Sequence, residues 1–558
     1  MKNIEHWSKN NSSIRVSARA LIHIFIDNGN YTHVTRLFKR YLPTVECRIT
    51  PISESGNISD HADLVIFLTT GSLIFTDKAQ DEGAFSIRTG KFRQSPALSI
   101  SGGSTSGVIY AVNELGTTHF KSSEGFINIP ALDIVEKPAS PYRLFWTWDH
   151  STNWYLTQNG QQDIGFCNPY LKPEDGFVQD YQRLIDFMSL NRIGGVTIYG
   201  FLRDSHGGIE AAQEICRYAN ERGVRVLPGI GINSYGGIYW EGSHRYNLSN
   251  WLKLNPGLRA KFEPMKVFEL PEFAKLSIPK THYLDAACPS KLENHNYHIE
   301  AIQWLTETFE IGGINFETGD YGACECSDCT SRRASNQQWS LEDMALLYPR
   351  LFKAAQGTKK DLWLVSEAYW DNLLDLDKLA PLASLPDEAI YQFCINRSYW
   401  YKLQKELTSE HIKQLPRSTN ILRTHMGSQW QMERHQLVAK RYADMMRLVY
   451  TSGMKGATIF GEPSAFNTVN EINYLAFARF GYDSSITWEN FVAHDLGAIL
   501  GGAEAARQYL TLLAIENSAE KLKQAIGIAR ELSHVSSGDV YRRWVWLQHY
   551  LFQKIESI

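Results

Sequence analysis

The chain has 558 residues, of which 43% are hydrophobic and 21% charged, which is ordinary for a globular protein but too long for one compact core. Its 56 basic and 60 acidic residues give a net charge of −4, and this balance excludes a basic surface for nucleic acid or for an anionic membrane. We therefore expect two or three domains, with neither a nucleic-acid nor a membrane partner.

The aromatic content favours a carbohydrate partner. Aromatic residues make up 12% of the chain, including 15 Trp and 27 Tyr. Such rings stack on the faces of sugars, although core packing is the commoner role of any one of them. The excess therefore raises the hypothesis of an oligosaccharide or glycoconjugate substrate.

The N-terminus and the cysteines bear on location. The first thirty residues lack the basic start, apolar core and cleavage site of a secretory signal, and no apolar run approaches the roughly 20 residues of a membrane helix. The eight cysteines do not have the spacing of a disulfide framework. We expect a reduced, cytoplasmic setting, and export with the signal absent from this sequence is the alternative.

Residues 1–138 are predicted to form an α/β accessory domain, because short buried strands alternate there with amphipathic helices. The predicted strands are 21–26, 64–68 and 97–101, and the predicted helices are 31–41 and 108–115.

A glycine-rich turn at 102–107 joins the last of these strands to the second helix. Turns of this kind can hold phosphate at a helix N-terminus. The spacing matches neither the P-loop nor the dinucleotide fingerprint, and Thr105 stands where a nucleophile elbow needs serine. A phosphate site is therefore not favoured.

The run at 99–115, Ser-Ile-Ser-Gly-Gly-Ser-Thr-Ser-Gly-Val-Ile-Tyr-Ala-Val-Asn-Glu-Leu, resembles a known accessory domain. It is similar to the end of the non-catalytic N-terminal domain of family 20 hexosaminidases and of bacterial α-glucuronidases. In both families this domain packs on a (β/α)8 barrel. The resemblance implies a glycoside hydrolase of this broad group, without a close match to either family.

Residues 139–483 are predicted to form an α/β (β/α)8 TIM barrel, since strand patterns alternate there with longer helical patterns, as in a parallel sheet. The largest insertion, about 233–290, lies between strands three and four and is rich in aromatic residues. Loops of this length are usually functional. The predicted barrel strands are 143–148, 195–199, 225–229, 313–317, 362–367, 389–393, 420–424 and 457–460.

Residues 484–558 are predicted to form a C-terminal helical domain. Apolar residues recur at helical spacing in three segments, 503–516, 519–532 and 540–555. Two roles stay open for this region: packing on the barrel, or the contact of a homodimer.

Carboxylates follow several of the predicted barrel strands, where barrel enzymes place their catalytic groups. Glycoside hydrolysis needs two carboxyls, one to protonate the leaving oxygen and one to act as nucleophile or activate water. The alternative is that they pair with Arg203, Arg423 or His425 and only shape the pocket. The candidate catalytic residues are Glu317, Asp320, Glu367 and Glu462.

Aromatic, amide and basic residues at the same strand ends are candidates for substrate binding. Arginines there could pair with a carboxylate of the substrate, which favours an acidic sugar. The candidates are Trp148, Asp149, His150, Tyr199, Arg203, Asn233, Tyr369, Trp370, Arg423, His425 and Asn467.

The resemblance bears most directly on Glu317. It ends predicted strand four, where both families carry the general acid. Family 20 enzymes have Asp before that Glu to orient the acetamido group of the substrate, and here Phe316 stands in its place, so this mechanism would require Asp320 as a replacement. Bacterial α-glucuronidases carry further carboxylates on strands six and seven, which are absent here. The segment 462–480 is similar to the strand-eight loop and helix of the same group.

Three cysteines form Cys-x-Cys-x-x-Cys at Cys324, Cys326 and Cys329, with Cys288 as a fourth candidate ligand. Four thiolates suit a closed structural zinc site, which would clamp the loop after strand four. The alternative is a set of free thiols. No cofactor is expected for catalysis, because the sequence lacks the His-x-His and His-Glu-x-x-His ligand pairs of catalytic zinc.

The leading hypothesis is an exo-acting glycoside hydrolase that cleaves a terminal sugar, acidic or N-acetylated, by carboxylate acid/base catalysis. The competing hypothesis is a carbohydrate-binding barrel without catalysis, because some carboxylates of the related families are missing.

Overall fold

A computed structural model of the protein describes residues 7–9, 12–27, 31–57, 62–70, 81–148, 174–261, 286–318, 323–334, 339–368, 373–395, 397–416, 419–427, 436–461, 467–556 and 558. None of the helices in these ranges has the length and apolar character needed to cross a membrane.

The N-terminal region is built on a mixed sheet with a parallel centre. Its strands are β1 Trp7–Lys9, β2 Ile14–Ser17, β3 Leu21–Ile26, β4 Glu46–Pro51, β5 Leu64–Thr70, β6 Phe85–Phe92, β7 Ser95–Gly102, β8 Lys121–Ser123, β9 Phe126–Ile129 and β10 Asp133–Glu136. The main sheet has the order β1-β6-β7-β5-β3-β4, with β10 added beside β6, and β2-β9-β8 form a second sheet. The predicted α/β region is confirmed.

Helices Thr32–Tyr41 and Thr105–Glu114 belong to this region, together with a 3-10 turn at Ile52–Asn57 and a π-helical turn at Leu115–His119. The two α-helices and the sheet share one apolar core. Six of the seven residues of β5 are buried, as expected for a central parallel strand.

Eight parallel strands close into a barrel, as predicted. Each observed strand end lies within two residues of its prediction, because each strand is a short apolar run buried on both sides. The barrel strands are β11 Tyr142–Trp148, β12 Gly195–Tyr199, β13 Arg225–Gly231, β14 Gly313–Thr318, β15 Trp363–Ala368, β16 Ile390–Ile395, β17 Asn420–Thr424 and β18 Gly456–Phe460.

Helices surround the barrel and share with the outer faces of its strands a large apolar core. They are Glu174–Leu190, Gly208–Glu221, Leu248–Leu254, Leu292–Thr308, Ser327–Arg332, Trp339–Thr358, Arg397–Glu406, Ser409–Lys413, Ala439–Ser452 and Thr468–Tyr482. Short 3-10 turns lie at Asp204–His206, Pro256–Leu258, Leu376–Lys378 and Ala380–Ser384.

The inside of the barrel has two layers. The lower layer is an apolar plug that closes the N-terminal end, and the upper layer is polar and faces the C-terminal end. The plug consists of Leu144, Leu227, Trp363, Val365, Ile390 and Ile421.

The C-terminal helices are Trp488–Asn490, Gly497–Leu500, Ala503–Leu513, Ala519–His534 and Gly538–Glu556, with a π-helical segment at Phe491–Leu496. They belong to the same apolar core as the barrel helices. Arg543 donates to both carboxylate oxygens of Glu471 at 2.7 Å, which ties the last helix to the helix after β18. The predicted packing on the barrel is observed, and the homodimer contact stays a prediction, as do the three domain boundaries.

The N-terminal region packs on the N-terminal face of the barrel, opposite the strand ends that carry the candidate site. Arg192, just before β12, bonds Glu114 at 2.7 Å and Glu136 at 2.6 Å. The glycine-rich turn also lies at this contact, where a Cβ on Gly223 would come within 2.7 Å of the Cα of Ser106. The small residues of the turn therefore allow close packing between the two regions.

Candidate active site

Two glutamates lie side by side inside the C-terminal end of the barrel. Glu317 of β14 and Glu367 of β15 are direct register partners, and their side chains are 1% and 0% exposed. Neighbouring strands are about 4.8 Å apart, so the two carboxylates share one buried space.

Arg423 of β17 supplies the positive charge for this pair. Its Nη1 atom donates to both carboxylate oxygens of Glu367 at 2.7 Å and lies 3.6 Å from Oε2 of Glu317. All three groups are buried, and buried charges are stable only when they are paired. One guanidinium therefore lies beside both carboxyl groups, with the tighter contact to Glu367.

Glu367 is held by a network of further donors. Gln392 donates to it at 2.9 Å, and the Tyr199 hydroxyl donates at 3.4 Å. The Tyr199 oxygen in turn accepts from Arg423 at 3.0 Å and from Asn315 at 2.8 Å. A carboxylate oxygen accepts hydrogen bonds, so this ring of donors holds the Glu367 side chain in a fixed position.

Aromatic rings form the wall beside the guanidinium. The Cζ atom of Arg423 lies 4.2 Å from the ring centroid of Trp146 and 5.0 Å from that of Tyr199. Trp146 is oriented by its Nε1 atom, which donates to the Thr424 carbonyl at 3.1 Å, and packs edge-on against Phe460. These contacts keep the charged plane of Arg423 in one position.

Strand β13 presents glycine where its neighbours present large side chains. A Cβ on Gly229 would lie 2.8 Å from the ring of Tyr199, and one on Gly231 would lie 2.8 Å from the ring of Tyr235. Tyr235 stacks on Trp240 with centroids 5.4 Å apart. The two glycines of β13 therefore leave space for the rings of Tyr199 and Tyr235, which form an aromatic side of the site.

Arg203 and Asn233 lie on this aromatic side and are both buried. The Nη1 atom of Arg203 donates to Glu241 at 3.0 Å, and its guanidinium lies over Trp240 at 4.9 Å. The carbonyl of Asn233 accepts from the Ala287 amide at 2.9 Å, which joins the start and the end of the insertion.

His425 and Asn467 lie at the ends of the seventh and eighth strands. The Nε2 atom of His425 lies 3.3 Å from the Cys394 sulfur. Burial, together with the positive charge of Arg423, lowers the pKa of His425 to about 3, so the imidazole is neutral at neutral pH. Asn467 caps the helix Thr468–Tyr482 by accepting from the Asn470 amide at 3.0 Å.

Several predicted site residues lie outside the described part of the chain, and their roles stay predictions. Trp148 ends β11, but its side chain also lies outside the described part of the chain. The residues are Asp149, His150, Asp320, Tyr369, Trp370 and Glu462.

The network also contains residues that the sequence prediction missed. Each is a polar or aromatic side chain within a strand, two residues from an inward-facing position, whereas the prediction considered the residues that follow each apolar run. The signal that could have identified them is a polar residue that interrupts an apolar strand. The missed residues are Trp146, Asn315, Gln392 and Thr458, the last of which donates to Gln392 at 2.6 Å.

The four cysteines come together at the edge of the barrel mouth. Their sulfurs lie within 4.8 Å of one another, and all four residues are buried. Cys288 follows β13, and the other three follow β14. Hydrogen bonds from Cys288 and Cys324 lower the pKa of Cys329, so one thiolate is stabilised even within the four sulfurs alone.

Chemically, the barrel mouth offers two adjacent buried carboxylates that differ in their contacts. The fold that carries them also occurs in solved structures of known proteins. The chain has the fold of the β-N-acetylhexosaminidases.

Three solved structures with this fold cover most of the chain at low sequence identity. A β-N-acetylhexosaminidase from Bacteroides fragilis aligns over 89% of this chain and 92% of its own, at 14% identity and a TM-score of 0.54. A chitobiase from Flavobacterium johnsoniae covers 99% and 90%, at 12% identity and 0.50. An N-acetyl-β-hexosaminidase from Streptomyces plicatus covers 90% and 94%, at 13% identity and 0.50. No protein-family model and no curated protein matches the sequence.

The hexosaminidase fold agrees with the resemblance found in the sequence, while the likeness to α-glucuronidases stays a prediction. Phe316, which precedes Glu317, points away from the barrel interior. Its ring packs 5.5 Å from Tyr348 and 5.3 Å from Phe352 in the helical layer. The side chain at position 316 therefore packs in the apolar core outside the barrel strands.

Proposed function

We propose that the protein is an exo-acting glycoside hydrolase that removes a terminal N-acetylated or acidic sugar, with Glu317 as the general acid. The observation that carries this proposal is the pair Glu317 and Glu367, buried side by side at the C-terminal end of a hexosaminidase-type barrel. Most glycoside hydrolases need two carboxyl groups that act on the same glycosidic bond.

The contacts of the two glutamates support different roles. Glu367 accepts from Arg423, Gln392 and Tyr199, so its oxygens are already engaged as acceptors. Glu317 lies 3.6 Å from the same arginine nitrogen, beyond hydrogen-bond distance, and is the better placed of the two to carry a proton. Glu367 then stabilises positive charge at the sugar, alone or with Asp320 or Glu462.

The depth of the pair supports action on a chain end. Both carboxylates lie inside the barrel, above the apolar plug, so a sugar would have to reach them from the C-terminal end of the barrel, which suits the end of a sugar chain better than its middle.

Between the two sugar classes, the contacts favour the N-acetylated one. Arg203 already pairs with Glu241, and Arg423 already pairs with Glu367, so these two cations are less available to a substrate carboxylate. The Bacteroides fragilis and Streptomyces plicatus proteins with this fold are named for N-acetylhexosamine substrates. The side chain that would orient an acetamido group in this chain is Asp320.

No cofactor is part of the proposed reaction, because carboxyl groups can supply both the acid and its partner. A metal bound by the four cysteines would serve structure. We also propose a reducing, cytoplasmic setting, since these thiols are clustered without the short sulfur contacts of disulfides.

The test is Glu317→Gln, assayed on aryl glycosides of N-acetylglucosamine, N-acetylgalactosamine and glucuronic acid. Loss of a general acid should lower kcat/KM by about 10²- to 10⁴-fold. Glu300→Gln, at an exposed position on the helix Leu292–Thr308, is the matched control and should keep full activity. Activity that is unchanged in Glu317→Gln would remove this residue from the mechanism.

The second candidate function is sugar binding without hydrolysis. It is favoured by Phe316, which takes the place of the acetamido-orienting Asp, and by the tight pairing of Arg423 with Glu367. Calorimetry with the free sugars separates the two functions. Binding that survives Glu317→Gln, with no turnover of any glycoside by the parent protein, would favour the binding function.

A further inference from the structure

We infer that Cys288, Cys324, Cys326 and Cys329 bind one structural Zn²⁺ that joins the loops after β13 and β14. This site is separate from the proposed glycosidase chemistry. The metal content of the protein tests the inference independently of any enzymatic activity.

The distances between the sulfurs fit a single tetrahedral ion. The Cys288 sulfur lies 3.6 Å from that of Cys326 and 3.7 Å from those of Cys324 and Cys329. Zinc bonded to four sulfurs at about 2.3 Å places neighbouring sulfurs about 3.8 Å apart. Disulfide sulfurs would be about 2.05 Å apart, so the observed spacing is that of a metal site and not of crosslinks.

A single ion also fits better than an iron–sulfur cluster. All four sulfurs lie within 4.8 Å of one another, whereas a multi-iron cluster would hold its cysteines farther apart around its own iron and sulfide atoms. Four thiolates with a closed tetrahedral shell are the usual ligands of structural zinc.

Groups around the cysteines are arranged as in the outer shell of a metal site. The Lys261 amide donates to the Cys324 sulfur at 3.3 Å, and the Ser290 hydroxyl lies 3.0 Å from the Cys329 sulfur. Arg333 donates to the Cys324 carbonyl at 2.9 Å. Such donors orient thiolates and offset their charge.

Nearby positive charge offsets part of the net charge of −2 that zinc with four thiolates would carry, because Arg332 and Arg333 share the single carboxylate of Asp343. Arg332 and Arg333 both bond the buried Asp343, and Lys291 bonds Asp328 on the helix of the cluster. Asp343 lies on the long helix Trp339–Thr358, so this ion-pair network attaches the cysteine loop to the barrel's helical layer.

The position of the cluster gives the ion a mechanical role. Cys288 closes the insertion that begins at Asn233, since the Ala287 amide bonds the Asn233 carbonyl at 2.9 Å. The other cysteines begin the segment that follows Glu317 and β14. In addition, the Ile232 amide bonds the Glu317 carbonyl at 3.1 Å. Zinc would therefore hold together the two loops that leave the strands beside Glu317.

The experiment is metal analysis of the full chain purified without added metal or chelator. We expect about one zinc per chain, and a cobalt-substituted protein with thiolate-to-cobalt charge-transfer bands and the visible bands of a tetrahedral site. Zinc below about half an equivalent after reconstitution under reducing conditions, or iron in its place, would overturn the inference.

A variant pair assigns the metal to these residues. Cys324→Ser with Cys329→Ser should lose the zinc and the cobalt bands, whereas Cys47→Ser, which changes a cysteine of the N-terminal sheet, should keep both. Full zinc content in the double variant would overturn the inference. If the double variant does not fold, the metal content and the cobalt spectrum of the parent still decide the question.

Discussion

Arg423 is the residue on which the charge balance of the barrel mouth depends. It lies between two buried carboxylates and against the ring of Trp146, with no exposed surface. A buried charge of this kind is stable only when it is paired, and Arg423 is paired with Glu367 and lies 3.6 Å from Glu317.

We predict that Arg423→Met lowers the free energy of unfolding by about 3 to 5 kcal/mol at pH 7, because Glu317 and Glu367 then lose the buried cation that lies beside them in the described part of the chain. Arg447→Met is the control, since Arg447 makes a partly exposed pair with Asp444 worth less than about 1 kcal/mol. Urea unfolding of both variants measures the difference. Equal losses in the two variants would contradict the role given to Arg423.

Glu317 and Glu367 were both predicted from the sequence, because each carboxylate follows an apolar run at the end of a parallel strand. Their difference in bonding was not predictable. It depends on which donors reach each carboxylate across the barrel, and Gln392 and Arg423 come from strands 25 and 56 residues away from Glu367 in sequence.

Among the elements of the barrel, strand β13 presents two glycines, Gly229 and Gly231, on the aromatic side of the candidate site. Gly229 lies opposite Tyr199 in register, and the tyrosine ring covers the space that a side chain would fill. The phenol of Tyr199 then reaches Arg423 and Asn315.

We predict that Gly229→Ala costs about 1 to 3 kcal/mol of stability through overpacking, because its Cβ would lie 2.8 Å from the Tyr199 ring. The same clash should displace the phenol from the carboxylate network and lower activity on the best aryl glycoside. Gly257→Ala, which has open space around the added Cβ, should change stability by less than about 0.5 kcal/mol. Thermal unfolding and kcat/KM of the two variants provide the test, and a Gly229→Ala protein that matches the control would contradict it.

The helices around the barrel and in the C-terminal region were predicted from apolar residues at helical spacing, and the three predicted C-terminal helices are observed as Ala503–Leu513, Ala519–His534 and Gly538–Glu556. Their ends differ from the prediction by up to three residues, since the last turn of a helix depends on its caps and neighbours rather than on the apolar pattern.

At the scale of the whole molecule, stability at acid pH depends on histidines that are buried without charge. Burial lowers the pKa of His298 to about 3, and His425 at the barrel mouth has a similarly lowered pKa, to about 3. The ordinary pKa of histidine is about 6.5, so the unfolded chain takes up these protons first as the pH falls. The stability that neutral histidines contribute is therefore full above about pH 6.5 and is lost between pH 6.5 and 3.

We predict that the free energy of unfolding falls by about 2 kcal/mol per such histidine between pH 7 and pH 5. His298→Gln removes one of them, away from the candidate site, and should reduce the difference between the two pH values by about that amount. His549→Gln, at an exposed position, should keep the difference seen in the parent. Urea unfolding at both pH values measures these quantities. A parent and a His298→Gln variant with the same pH dependence would show that His298 is not held neutral.

The sequence predicts the order and the type of the elements, because an apolar run of five residues or an apolar stripe at helical spacing can be buried in few ways. It placed eight barrel strands, an α/β region before them and helices after them. It also pointed to Glu317, to Glu367 and to the four cysteines, whose chemistry is local to their side chains.

The contacts between groups on different strands depend on how the whole chain packs. Closing the barrel turns alternate residues of all eight strands inward, so Asn315, Gln392 and Thr458 join the site although they do not end a strand. Closure also directs Arg423 to Glu367, and it brings Cys288 within 3.7 Å of Cys329 from the loop of a different strand. These contacts depend on the relative positions of distant strands, which follow from the packing of the whole chain and not from any local pattern.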